Sequence, residues 1–337
     1  MIRPPTLGDV AKRAQVSVAT VSRAINRPGM VVEPKRLAVE AALAALGYIP
    51  NHAARSLLRQ RSMTVGLIVP TLENPLFAPG IARLEARLEA AGYAILLACS
   101  RRDPARALRQ ARVMIERGVD GLVLTGGPHH PDLLPLLHSR RLATVVQDAT
   151  ENLPGLGALG MPNAEAMALA IDTLVQHGHR RIAILTGPTG DTPPIGRRVA
   201  GATARLAAHG LEPAALVETT GYDAEACRNG ARRLLALDPR PGAVAATGDI
   251  LLLGLIAEAR SRGLAIPADL SVIGCGDTGM GRFADPPLST VHLPFADMGE
   301  QAADQLLDLM EHGHRPDFHT MPFHLVDRNS VAAPSGG

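Results

Sequence analysis

The chain predicts an all-α helix-turn-helix head followed by an α/β body of two doubly wound parallel-sheet subdomains. Three observations carry this prediction. The first 58 residues hold short, capped helical segments; from Met63 short apolar runs alternate with helical stretches; and that alternation restarts at Ile182. Buried strands between helices imply parallel sheets covered on both faces. Two such sheets place a ligand cleft at the carboxyl ends of their strands.

A length of 337 residues allows two or three domains, and 46% hydrophobic with 20% charged residues is ordinary for a globular protein. The net charge of +2 is unevenly spread. Residues 1–60 carry nine Lys/Arg and three Asp/Glu, a local +6 that leaves −4 on the rest. A basic head on a mildly acidic body fits contact with nucleic acid at one end. Cys99, Cys227 and Cys275 are far apart and form no CxxC pair, so neither a disulfide framework nor a zinc site is expected. No apolar run reaches membrane-spanning length and no signal core opens the chain. A cytoplasmic protein without membrane contact, cofactor or metal is the expectation.

In the head, Thr6 and Asp9 have capping-box spacing for a helix over Leu7–Ala14. Gln15-Val16 forms a turn, and Ser17 caps a second helix over Val18–Asn26. Val16, Val21 and Ile25 face the first helix as core. That leaves Val18, Ala19, Ser22 and Arg23 outward, on the face that a recognition helix turns to base edges. Arg23 suits a bidentate pair with guanine, and Val18 and Ala19 suit thymine methyls. Ser17, Thr20, Asn26 and Arg27 are placed for phosphates, and Thr6 is a further candidate DNA contact. Helix spacing alone equally allows an amphipathic pair with a solvated polar face.

Pro34 stands in the first turn of a third helix, Ala38–Leu46 supplies its apolar face, and Gly47 ends it. Asn51 then caps a two-turn segment, His52–Leu58, too short to be a stable helix alone. Ala54, Arg55 and Leu57 on it suit a hinge that folds on DNA and wedges Leu57 into a base step. An ordinary linker helix, with Leu57 packed on the body, is the other reading.

The segments DVAKRAQVSVATVSRAIN and LGYIPNHAARSL resemble the lactose-repressor/galactose-repressor (LacI/GalR) family of bacterial transcription regulators. The first matches its helix-turn-helix, the second its third-helix end and hinge. The resemblance implies base-reading positions at Val18, Ala19 and Arg23 and an intercalating one at Leu57. Val32 departs from the family, which usually caps the third helix with Ser.

In the body, strands are expected at Val65–Val69, Ala94–Ala98, Gly121–Leu124, Thr144–Val146, Ile182–Leu185, Val244–Ala246 and Ser271–Ile273. Helices begin near Leu76, Pro104, Pro131, Val199, Ala224 and Leu251. The segments VGLIVPTLENPLFA, GVDGLVL, HGHRRIAILTGP, GDILLLG, PADLSVIGCGD and PPLSTV extend the resemblance over the body. It implies a periplasmic-binding-protein-like core whose chain crosses between subdomains three times. The expected division is 1–50 for the DNA-binding domain, 51–62 for the hinge and 63–337 for the core. One subdomain takes 63–160 plus 294–321, the other 161–293 plus 322–337.

Candidate pocket residues follow the strands. Asn74, Leu76 and Phe77 come after the first and Asp148 after the fourth. By resemblance Arg198 holds the effector-binding arginine position, Asp249 matches the acid of an ND pair, Asp277 lies near a YD position and Tyr222 is the stacking aromatic. An arginine facing acids suits a small polar effector, a sugar or sugar acid. Each of these residues is also a candidate helix cap or structural ion pair. Gly248, Gly276 and Pro162 replace residues common in the family.

Gly274–Gly279 spells GxGxxG, but Pro286-Pro287 interrupts the helix that a dinucleotide site requires. His177/His179 and His312/His314 straddle glycines at helix ends without the Cys and carboxylate company of a zinc site. No nucleophile elbow, paired carboxylates or P-loop is present, so catalysis has no candidate. A solute-binding protein without DNA function would explain the body but not the basic head. The resemblance implies a repressing homodimer on a pseudo-palindromic operator in double-stranded DNA. The ending VAAPSGG carries no heptads, so a dimer is expected.

Overall fold

The computed structural model describes residues 3–49, 61–126, 129–149, 151–190, 192–313 and 318–334. The chain forms two compact units, Met1–Met63 and Thr64–Gly337.

In the first unit α1 (Leu7–Arg13), α2 (Val18–Asn26) and α3 (Glu33–Leu46) enclose Val10, Ala11, Val21, Val39 and Ala42. The capping box forms: Thr6 N donates to Asp9 Oδ2 at 2.8 Å, and Asp9 N donates to Thr6 Oγ1. Gln15, at φ 52°, makes the left-handed turn that separates α1 from α2. Ser17 Oγ accepts from Thr20 N at 3.1 Å and starts α2. Val32 gives α3 no side-chain cap, and Pro34 fills the first turn instead. Gly47, at φ 58°, ends α3 and lets Tyr48 N reach the Leu43 carbonyl at 3.1 Å. Val16 and Ile25 pack at the edge of this core, half-buried rather than central.

In the second unit the strands are β1 (Thr64–Val69), β2 (Ala94–Cys99), β3 (Gly121–Thr125), β4 (Ala143–Ala149), β5 (Gly157–Gly160) and β6 (Ile182–Thr186). They continue as β7 (Leu216–Glu218), β8 (Ala243–Ala246), β9 (Ser271–Gly276), β10 (Ser289–His292), β11 (Phe318–Thr320) and β12 (His324–Val326). The helices are α4 (Ala78–Ala90), α5 (Pro104–Glu116), α6 (Leu133–Arg140) and α7 (Asn163–Gln176). After them come α8 (Pro193–Ala208), α9 (Ala224–Leu235), α10 (Asp249–Ser261) and α11 (Phe295–His312).

One sheet runs β11-β5-β4-β3-β1-β2 and the other β12-β10-β9-β8-β6-β7. Every pairing is parallel except β10 with β12. The chain leaves the first sheet after β5, returns after β10 as α11 packs on α4 and β4, and leaves again after β11. Each sheet therefore defines a lobe with its own core. Leu108, Met114, Leu122 and Val146 fill the first; Leu185, Leu234, Leu255 and Val272 fill the second.

The helix expected near Val199 begins six residues earlier, at Pro193. Pro193 and Pro194 occupy the first turn, where a missing N–H leaves no bond unmade. The short strands β5, β7, β10, β11 and β12 and the helices α7 and α11 went unmarked in the sequence pattern. Strands of three or four residues are too brief to show a period.

Candidate functional site

Two surfaces gather the candidate residues. On α2, Val18 is 49% exposed, and Ala19 and Arg23 are exposed beside the half-buried Ser22. Arg23 makes no ion pair among the described residues, which leaves its guanidinium available. The polar neighbours are bound locally. Thr20 Oγ1 lies 2.9 Å from Ser17 Oγ, and Asn26 Nδ2 donates to the Ser22 carbonyl at 2.9 Å. Thr6 is engaged with Asp9. The helix thus presents two apolar groups at its outer N-terminal end and, past its midpoint, one cation that makes no ion pair among the described residues. Asn51, Ala54, Arg55 and Leu57 lie outside the described residues.

The second surface is a cleft between the lobes, with about 770 Å³ of space unfilled by protein atoms, open solvent included. Asn74, Phe77, Asp148, Arg198 and Tyr222 all line it. Arg198 is 1% exposed, and only because its charge is met from several sides does such burial persist. Its Nε donates to Asn163 Oδ1 at 2.6 Å and its Nη1 to the Thr247 carbonyl at 2.7 Å. Asn163 Nδ2 in turn donates to Asp148 Oδ1 at 3.0 Å. Burial pushes the Asp148 carboxyl up to about 6, despite the opposing pull of the Arg198 charge and the Asn163 bond. Asn74 Oδ1 accepts from Leu76 N at 3.0 Å, fixing the turn after β1. The Phe77 ring meets Phe295 edge-on, centroids 5.7 Å apart.

The other two acids have internal work. Asp249 opens α10, and its carboxylate accepts from Thr290 Oγ1 and Thr278 N, each at 2.7 Å. It borders a smaller side pocket of about 240 Å³ behind Arg198. Asp277 lines neither space. Arg328, His292 and Arg282 surround its carboxylate, and although burial opposes the charge, they hold it below the usual carboxylate range.

Backbone conformation, with Leu76 packed close by, accounts for one departure. A Cβ on Gly276, whose φ is +134°, would lie 2.8 Å from Leu76 Cδ1. An apolar side chain from the first lobe thus occupies the space that a larger residue at 276 would need. Tyr222 is buried, its hydroxyl tucked against Gly187, and the Arg102 guanidinium lies 5.1 Å from its ring centroid. Arg102 escaped the sequence reading. It sits just past the carboxyl end of β2, and the rule that selected Asn74 and Asp148 would have selected it too. Buried Nε of Arg102 and Oγ1 of Thr192, both lining residues, have no hydrogen-bond partner among the described residues.

Gly274–Gly279 leads from β9 into a 3₁₀ turn, Gly279–Phe283, not into an α-helix whose N-terminus could hold a pyrophosphate. His177 Nδ1 lies 2.8 Å from the Thr173 carbonyl and His179 Nε2 lies 2.9 Å from that of Ala332. Among the described residues no cluster of three or more His, Cys, Asp or Glu could hold a metal. No helix among them is long and apolar enough to cross a membrane.

Residues 6–51 match the profile of bacterial regulatory proteins of the lacI family, and residues 171–331 match a periplasmic binding protein-like domain. The HTH-type transcriptional repressor PurR of Klebsiella pneumoniae is 32% identical over 331 residues, 97% of each chain. The PurR protein of Pectobacterium carotovorum is 33% identical over the same share. Among solved structures, the lac repressor dimer bound to operator and the anti-inducer ONPF superposes with a TM-score of 0.86 at 27% identity. That match covers 98% of this chain and all of that one. An all-helical DNA-reading head, a two-lobed core and relatives alike over nearly the whole length agree: this chain is a DNA-binding transcriptional regulator and belongs to the lacI family of bacterial regulatory proteins.

Proposed function

We propose that the chain is a cytoplasmic repressor whose operator affinity is set by a small polar ligand held between the two core lobes. The observation that carries this reading is Arg198, a fully buried guanidinium that lines the cleft with polar capacity to spare. A buried charge is costly, and a ligand-binding role accounts for keeping it. Residues 1–50 act as the reading domain, 51–62 as a hinge and 63–337 as the effector core. Val18, Ala19 and Arg23 read bases, while Ser17, Thr20, Ser22 and Asn26 support them or meet phosphates. In the hinge, Asn51, Ala54 and Arg55 accompany Leu57, which wedges into the minor groove.

The working unit is a homodimer on a pseudo-palindromic site. Phe283, 90% exposed, and Met280, 41% exposed, share one turn of the second lobe and supply apolar surface for a second copy. The dimeric lac repressor structure supports this reading.

Selection from a random duplex pool, followed by sequencing of the bound fraction, tests the function. Enrichment of two inverted half-sites is expected, and Leu57→Ala should weaken binding to the selected duplex while the core stays folded. A pool that shows no enrichment over the unselected input contradicts the proposal.

A further inference from the structure

We propose that the cleft takes a small organic acid with an apolar body, its carboxylate bracketed by Arg102 from the first lobe and Arg198 from the second. This rests on the cleft being the effector site. The protein leaves mainly donors unbonded there. Most of its side-chain oxygen acceptors are used: Asp148 Oδ1 and Asn74 Oδ1 take protein N–H groups, and Asp103 at the rim caps α5 and pairs with Arg109, while Asp148 Oδ2 accepts no hydrogen bond among the described residues. Its spare capacity is otherwise mainly cationic or hydroxylic. Among the described residues Arg102 Nε is buried without a partner, Arg198 directs only Nε and Nη1 to protein atoms, and the buried Thr192 hydroxyl is unpaired.

A neutral sugar brings a donor with every hydroxyl, and here those protons would find few acceptors. A carboxylate brings acceptors alone and matches the planar fork of a guanidinium. The walls agree. Ile68, Leu76, Phe77, Leu124 and Ile195 are apolar, and Leu76 fills the space above Gly276. Since the two arginines belong to different lobes, one carboxylate between them draws the lobes together. The ligand therefore favours the closed core through contacts that the open core lacks.

The test uses the full chain in calorimetric titration and thermal unfolding. Benzoate, cyclohexanecarboxylate and hexanoate are each compared with the matching carboxamide, and glucose and ribose serve as neutral polyols. At least one acid should bind tenfold or more tighter than its amide. Arg102→Gln should lower that affinity by about ten- to a hundredfold, as loss of a charge-assisted hydrogen bond does. The unliganded unfolding midpoint should stay near that of the parent chain, and Arg102→Lys should recover part of the affinity. Amides or sugars binding as well as the acids would overturn the proposal and leave the cleft as the effector site. So would acid binding that Arg102→Gln does not change. If neither acids nor neutral compounds bind, the proposal and the effector-site reading fall together.

Discussion

Arg198 Nε donates to Asn163 Oδ1 at 2.6 Å, and the same amide turns its Nδ2 to Asp148 Oδ1 at 3.0 Å. A guanidinium from α8 and a carboxyl from β4 are thus joined through one neutral side chain. That side chain is the first residue of α7, just where the chain passes from the first sheet to the second. Arg198 also holds the Thr247 carbonyl beyond β8. A ligand that draws on Arg198 would therefore touch a hydrogen-bond network that joins both lobes at a crossover.

Replacing Asp148 by Asn should stabilise the free protein at neutral pH. The folded carboxyl titrates near 6, raised from 3.8 by burial, so between about pH 4 and 6 the folded state keeps a proton that the unfolded state has lost. Stability from this group is greatest below that window and falls as pH rises through it. Asn keeps an acceptor for Asn163 Nδ2 and carries no charge to bury. Urea unfolding at pH 7.5 should show a gain of up to about 3 kcal/mol, vanishing below pH 4. A variant less stable than the parent at pH 7.5 contradicts this.

Gly299→Ala should damage the first lobe. A Cβ there would lie 2.0 Å from the Gly80 carbonyl oxygen, so α4 and α11 must separate. Overpacking of this kind costs about 1–3 kcal/mol, and a backbone obstacle favours the upper end. Gly196→Ala, in α8 with nothing within 4 Å, is the matched control and should gain about 0.5–1 kcal/mol. Equal unfolding midpoints for the two variants would refute the packing argument.

Arg23→Ala should weaken operator binding by about 1–3 kcal/mol and relax base preference at one position of each half-site. A loss that is uniform across all base substitutions would assign Arg23 to phosphate instead. Comparing the parent and variant on single-substituted duplexes separates the two.

What was legible in the sequence was local. Thr6 with Asp9, and Ser17 with Thr20, act over three residues, and their caps formed as read. Continuous apolar runs such as Gly121–Leu124 marked the buried central strands. What was illegible depended on distant partners. Asp249 spends its carboxylate on Thr278 and Thr290, 29 and 41 residues on, and Asp277 meets Arg328 at a separation of 51. Arg102 follows β2 as Asn74 follows β1, but its contact with the ring of Tyr222, 120 positions later, shows only in the fold. The helix that begins at Pro193 was expected only from near Val199, because a proline pair looks the same before a helix as within one.

Occupancy of the cleft is expected to change the hold on DNA. The direct measurement is the fluorescence anisotropy of the full chain on its selected duplex, as a compound shown to bind the core is titrated to saturation. Operator Kd should change by at least tenfold, while Arg198→Ala should bind the duplex with a Kd that the compound leaves unmoved. An operator Kd that stays constant with the cleft saturated would contradict the account.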